Sequence, residues 1–169
     1  NGLQQFCNLK PENGDYNLVN RVKTREGFPV KQVWLRQSFL TGEMMVVWVI
    51  TKANFPLWPT WIRKYARELN QRFPQITSIV ERVNRRSENG LGEPYRVIYG
   101  KPKILEGIEN LRFFLSPTSF YQINSQQTVV LYRQVQEYAQ LNGTEKLIDL
   151  YCGVGTIALY LAPKAASVI

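Results

Sequence analysis

The sequence contains no histidine and only two cysteines, Cys7 and Cys152. The first absence removes an imidazole general base, a Ser-His-Asp triad and any His-ligated metal from within the chain. Two thiols are too few for a disulfide framework or a self-contained zinc site. No run of about 18 apolar residues occurs, so no membrane-spanning helix is expected. The longest apolar stretch, Met44 to Ile50, has the length of a strand. Asn1 to Lys10 are polar and lack the apolar core of a signal peptide. Repeats and low-complexity segments are missing too. These gaps lead us to expect a cytoplasmic protein, with no membrane partner and no obligate protein partner. The chain does not open with Met, which we read as a native beginning further upstream.

What is present fits a folded, basic protein. In 169 residues, 44% of them hydrophobic, there is room for one domain or two small ones. A formal charge of +8 and a pI near 9.6 favour a polyanionic partner through phosphate neutralisation and counterion release. The basic residues gather at Arg21-Lys23-Arg25, Arg63-Lys64-Arg67, Arg82-Arg85-Arg86 and Lys101-Lys103. Any one of these clusters also suits a merely solvated face. Arg85 and Arg86 stand out because they share a polar turn with Ser87 and Asn89, a setting for phosphate contact.

The pattern of elements changes once along the chain. Val30 to Arg36 and Met44 to Thr51 read as a hairpin with a loop of several residues. Trp61 to Phe73 reads as a helix with Trp61, Tyr65 and Leu69 on one stripe, ended by Pro74. Further strands follow at Ile76 to Val83, Arg96 to Tyr99 and Ile104 to Gly107. We therefore expect an α+β central domain over 1–110. From 111 to 169 the order becomes strand, helix, strand, turn, helix, strand, the opening of a Rossmann-like α/β domain. Its long helix is expected to start at Asn124 with Gln127 as capping partner, to carry Leu131, Val135 and Tyr138 as its apolar stripe, and to stop at Asn142-Gly143. Lys146 to Leu150 is expected as a buried strand.

The run Asp149-Leu150-Tyr151-Cys152-Gly153-Val154-Gly155-Thr156 lies between that strand and the next helix. Glycines there allow a sharp turn and close approach of a ligand, and a helix N-terminus offers free N–H groups. The spacing Gly153-x-Gly155-x-x-Ala158 also satisfies a loose dinucleotide fingerprint, so an NAD-binding fragment is a rival reading. Asp149, just ahead of the glycines, would attract the cationic amino group of S-adenosylmethionine and repel a pyrophosphate. An αβ turn with incidental glycines is the plainest alternative.

Phe113 to Asn124, with its Ser-Pro-x-x-Phe-x-Gln-x-Asn pattern, then Leu131-Tyr132 and then Asp149 to Thr156 together resemble the RNA (uracil-5-)-methyltransferase family. A weaker likeness continues upstream through Val33 to Thr51, Phe73-Pro74, Asn84 and Ile98-Tyr99-Gly100, and favours the 23S ribosomal RNA enzymes over the tRNA enzymes. The resemblance implies a class I S-adenosylmethionine fold in the second part. It implies cofactor contact by Gln122, Tyr151, Asp149, Gly153, Gly155 and Thr156, the last at a position where some members carry Asn. Phe120 falls beside the flipped nucleotide, and Arg85 and Arg86 fall on the RNA-facing domain. Phe120 and Tyr151 also suit plain core aromatics, and Gln122 a polar residue at the start of a helix.

In that family a Cys thiolate adds to C6 of uracil, making C5 enolate-like so that it takes the methyl group. The target base must leave its stack to reach such a pocket. Cys152 sits inside the cofactor loop without a cationic neighbour, and is rejected as that nucleophile. The family's nucleophile and Glu base belong to later segments, beyond residue 169. The chain is thus expected to be a piece of the enzyme, inactive alone and binding S-adenosylmethionine weakly. Cys7 is placed like the last of four ligands of a [4Fe–4S] cluster in many members, with an isolated thiol as the alternative. A catalytically silent RNA-binding module is the second reading of the whole.

Overall fold

The computed structural model describes residues 22–23, 30–50, 58–83 and 95–169. Five strands form one sheet in chain order: β1 (Val22–Lys23), β2 (Val30–Gln37), β3 (Met44–Ile50), β4 (Ile76–Val83) and β5 (Tyr95–Gly100). All neighbours are antiparallel except β3 and β4, which run parallel and are joined through helix α1 (Trp58–Arg72). β3 is buried along almost its whole length, which explains its unbroken apolar sequence.

Each face of the sheet is covered by a different element. On one face Val33, Val46, Trp48, Ile50, Ile76 and Ile79 pack against Ile62, Ala66 and Leu69 of α1. These helix residues are three and four apart, so they share one side and leave Arg63, Lys64 and Arg67 outward. The expected stripe of Trp61, Tyr65 and Leu69 is corrected in part: Leu69 is buried, Tyr65 packs at the margin, and the side chain of Trp61 lies outside the described residues.

The opposite face carries Met45, Val47, Val49 and Val80. It is covered by the antiparallel hairpin β6 (Ile104–Ile108) and β7 (Leu111–Leu115), through Ile104, Ile108, Phe113 and Leu115. Tyr121 and Tyr132 complete the same cluster. Residue 110, where the sequence pattern changes, therefore falls in the turn of a hairpin whose strands share one core. Gly100 closes β5 with φ +70°, and a Cβ there would collide with the Thr77 carbonyl.

Helix α2 (Ser125–Ala139) starts as expected: Asn124 is its N-cap, and its side-chain oxygen accepts from the Gln127 backbone N–H at 2.9 Å. Its buried side is corrected to Ser125, Thr128 and Tyr132, while Leu131 and Tyr138 are exposed. Its end is corrected as well. Gln140 takes the left-handed conformation at φ 47°, ahead of Gly143.

Strand β8 (Lys146–Leu147) pairs in parallel with β9 (Ser167–Val168) around α3 (Thr156–Leu161) and a short 3-10 turn (Ala162–Lys164). The expected buried strand to Leu150 is thus shorter, and Ile148 and Leu150 are exposed. No helix among the described residues is long and apolar enough to cross a membrane.

Candidate cofactor and substrate site

Two loops carry the residues singled out by sequence. The first, residues 116–124, links β7 to α2 and has no strand partner among the described residues. Ser116 and Ser119 close it on themselves: each backbone N–H donates to the other's hydroxyl, at 3.1 and 3.2 Å. Pro117 and Tyr121 are buried, while Phe120 and Ile123 are exposed. Tyr121 donates to the Gly107 carbonyl at 3.2 Å and its ring tilts against Phe113. Burial and then the charge of Glu106 push its phenol well above the ordinary tyrosine range. Phe120 is 74% exposed, so the core does not use it, and Gln122 is half-buried beside it.

The second loop joins β8 to α3. Asp149 donates its backbone N–H to the Ile169 carbonyl at 2.9 Å, which continues the β8–β9 pairing by one bond. Tyr151 then takes φ +66° and is fully exposed. Left-handed backbone is uncommon for a residue with a side chain, and it turns this ring out of the fold. Gly153 at φ +60° has open space where a Cβ would sit, and Gly155 at φ +76° caps α3. Gly155 donates to the Cys152 carbonyl at 2.8 Å, making the expected tight turn. Cys152 is an exposed free thiol.

The helix that follows the first loop meets the end of the second through a residue that sequence reading had named only as part of a motif. The buried Tyr132 of α2 shares a 2.6 Å hydrogen bond with the hydroxyl of Thr156, the first residue of α3. Its ring also meets Tyr160 of α3 edge-on, with centroids 5.4 Å apart. Thr156 therefore has one of its hydrogen bonds committed inside the protein. Among the described residues no hydrogen bond joins Phe120 or Gln122 to the Asp149–Thr156 loop.

Two charged groups missed by sequence reading also hold this region. Glu106, buried in β6, accepts from the backbone N–H groups of Phe39, Leu40 and Gly107 at 2.9, 3.2 and 2.8 Å. Arg36 of β2 donates to the carbonyls of Ser116 and Ser119 at 2.8 and 2.7 Å. For Glu106 the sequence signal was faint, a charge interrupting an otherwise apolar strand, and for Arg36, in a strand of mixed character, there was none.

Cys7, Arg85, Arg86, Arg21, Arg25, Asn84 and Asn89-Gly90 lie outside the described residues. Arg63, Lys64 and Arg67 line a surface groove with Thr60, Glu68 and Gln71, on the α1 side of the sheet and away from both loops. Among the described residues no group of three or more acidic, Cys or His side chains is placed to hold a metal.

No protein-family model matches the chain. Relatives do. It is 41% identical, over 89% of its length, to an uncharacterised RNA methyltransferase of Staphylococcus epidermidis, and 41% identical, over 97%, to one of Bacillus cereus. It covers 32% and 38% of those proteins, so the chain spans about a third of the length of the curated relatives it matches. Its fold is similar to that of the Pyrococcus abyssi tRNA (uracil-54, C5)-methyltransferase solved with S-adenosyl-L-homocysteine. The TM-score is 0.57 at 33% identity, covering 79% of this chain and 30% of that one. The likeness read from the two motifs thus extends over most of the sequence and into the coordinates, and over most of its length the chain is similar to RNA methyltransferases.

Proposed function

We propose that this chain is part of an S-adenosylmethionine-dependent enzyme that methylates C5 of a uridine in RNA. The observation that carries the reading is the Tyr132–Thr156 hydrogen bond. It locks the helix that follows the Ser116–Asn124 block onto the first turn after the glycine loop. This bond supports reading the two motifs, recognised separately in sequence, as parts of one site.

The residues present fit the cofactor. Asp149 supplies a carboxylate for the ammonium group, and open space at Gly153 lets backbone approach a bulky ligand. Tyr151 offers an exposed ring to its adenosyl part. Gln122 is assigned to the cofactor near the uracil, and Phe120 to stacking on the extruded base, an arrangement RNA-binding aromatics commonly adopt. Thr156 is assigned to shaping the loop through Tyr132 as much as to contact. Arg85 and Arg86 are assigned to RNA phosphates, and Cys7 to a [4Fe–4S] cluster completed by other cysteines. S-adenosylmethionine, when bound, supplies the methyl group. The chemistry proposed is addition of a thiolate to C6, methyl transfer to C5, then removal of the C5 proton by a base and departure of the thiolate, with nucleophile and base supplied outside residues 1–169. The division into a central domain, 1–110, and the first part of a methyltransferase domain, 111–169, belongs to the same proposal.

The proposed RNA is 23S ribosomal RNA, on the upstream resemblance; the Pyrococcus relative acts on tRNA. The test uses the whole protein that carries this chain, with RNAs tritiated at uridine C5. Substitution at C5 expels that label. We expect release that depends on S-adenosylmethionine, with 23S ribosomal RNA preferred over tRNA. Label retained on both RNAs sinks the reading, and release from tRNA alone moves the substrate. Residues 1–169 alone are expected to transfer no methyl group.

A further inference from the structure

Residues 116–124 reach from the end of one strand to the start of a helix without a ladder partner among the described residues, yet they present Phe120 and Gln122 at defined places. Their internal hydrogen bonds between Ser116 and Ser119 fix the shape of the turn but not its position on the protein. Position must come from contacts outside the loop. Buried Pro117 and Tyr121 give an apolar footing on one side. On the other, a single side chain from a strand some eighty residues earlier grips both ends of the turn.

We propose that Arg36 is a positioning residue: its guanidinium clamps the Ser116–Ser119 turn to β2 and so sets where Phe120 and Gln122 stand. Three observations carry this. Its two terminal nitrogens each donate to a different carbonyl, three residues apart, at 2.8 and 2.7 Å. A planar fork meets that geometry with two separate nitrogens, whereas a Lys ammonium would have to serve both carbonyls from one nitrogen on a flexible stem. The turn's serine hydroxyls are engaged with its own N–H groups, and the Ser116 carbonyl, which also accepts from the Ser119 N–H at 3.3 Å, has a second lone pair for Arg36. Arg36 is also largely withdrawn from water, and this lowers its tendency to hold its charge, so the site keeps a cation at a cost. A residue retained for solubility would not be placed so.

The role links the two halves of the molecule. Arg36 lies on the sheet strand next to β3, while the turn it holds leads into α2 and thence, through Tyr132, to Thr156 and the glycine loop. The idea that this clamp serves methyl transfer rests on the proposed function. The clamp itself does not.

The test separates the two. In the whole protein that carries this chain, chymotrypsin cleavage after Phe120 reads how firmly the turn is held. We expect Arg36→Met to raise that cleavage rate about tenfold, the change that loss of roughly 1.4 kcal/mol of loop order produces when opening precedes cleavage. Arg36→Lys should fall between Met and the parent, and amides of β3 should keep their exchange protection in both variants. If Arg36→Met proves too unstable, amide exchange at Phe120 to Ile123 in Arg36→Lys replaces it, with faster exchange confined to that loop expected. Cleavage and loop exchange unchanged in the variants would overturn the clamp. In the whole protein, Arg36→Lys should lower kcat with little change in KM for RNA; a loss confined to KM would overturn the positioning role. An inactive parent protein with a loosened loop in the variants would count against the methyltransferase reading alone and leave the clamp standing.

Discussion

Strand β3 and the run Lys146 to Leu150, which opens with β8, both read as strands in sequence, yet the structure treats them oppositely. β3 has a hydrogen-bonded neighbour on both sides, α1 over one face and the β6–β7 hairpin over the other. Its Met45 and Val46 have no exposed surface at all. β8 has two paired residues and one strand neighbour among the described residues, and Ile148 and Leu150 beyond it remain 62% and 76% exposed. Burial is thus conferred by what surrounds a strand. Apolar composition only makes a strand fit to receive it.

The difference should appear most strongly in stability. Ile79→Ala, at a fully buried position under α1, is expected to cost about 3 kcal/mol through lost burial and the cavity left behind. Urea unfolding followed by circular dichroism would measure it, and a cost below about 1 kcal/mol would break the contrast. Tyr132→Phe keeps the ring in the core but removes the 2.6 Å bond to Thr156, with an expected cost of about 1 kcal/mol. Amide exchange should then quicken in α3 and not in β3. Ile148→Ala should change stability by less than about 0.5 kcal/mol, because the side chain has little burial to lose.

The smallest effect lies where the chain enters β8. Glu145 accepts from the Asn142 backbone N–H at 2.9 Å, and that bond holds its carboxyl below the usual glutamate range. A depressed folded value means that the contribution is complete above the unfolded value of about 4.3 and fades as pH falls through the folded one. The Asn142 amide shift, followed by NMR titration, should therefore move in mild acid with a midpoint below that value. Glu145→Gln should remove the transition. A midpoint at or above the unfolded value would deny the turn its role in setting up β8.

The order of elements was legible because periodicity and caps are local. Met44 to Ile50 announces a doubly covered strand, and Asn124 announces a helix start. The buried side of α2 was misread because Ser125, Thr128 and Tyr132 look polar, while the more apolar Leu131 faces outward. In place of the glycine signal, Gln140 ended the helix: a residue with a side chain adopted the left-handed turn itself. β8 looked buried because a sequence does not display the neighbours a strand needs. In the candidate site the glycine turn was readable, since Gly153 and Gly155 do take positive φ. The grip of Arg36 on two carbonyls was not, because backbone acceptors eighty residues away leave no mark on side-chain identity.

The β6–β7 hairpin also has a mechanical consequence. Its strands lie flat on the sheet through Ile104 and Phe113, and Tyr132 and Tyr121 join the same cluster from the following helix and loop. A chain that changes character at residue 110 invites the idea of a hinge there. Any swing about that point would peel this hairpin from Met45, Val47 and Val80 and wet the apolar surface between them. The region acts as a weld. To move the hairpin against the sheet is therefore to break a core to which the loop before α2 and the helix itself also contribute, through Tyr121 and Tyr132.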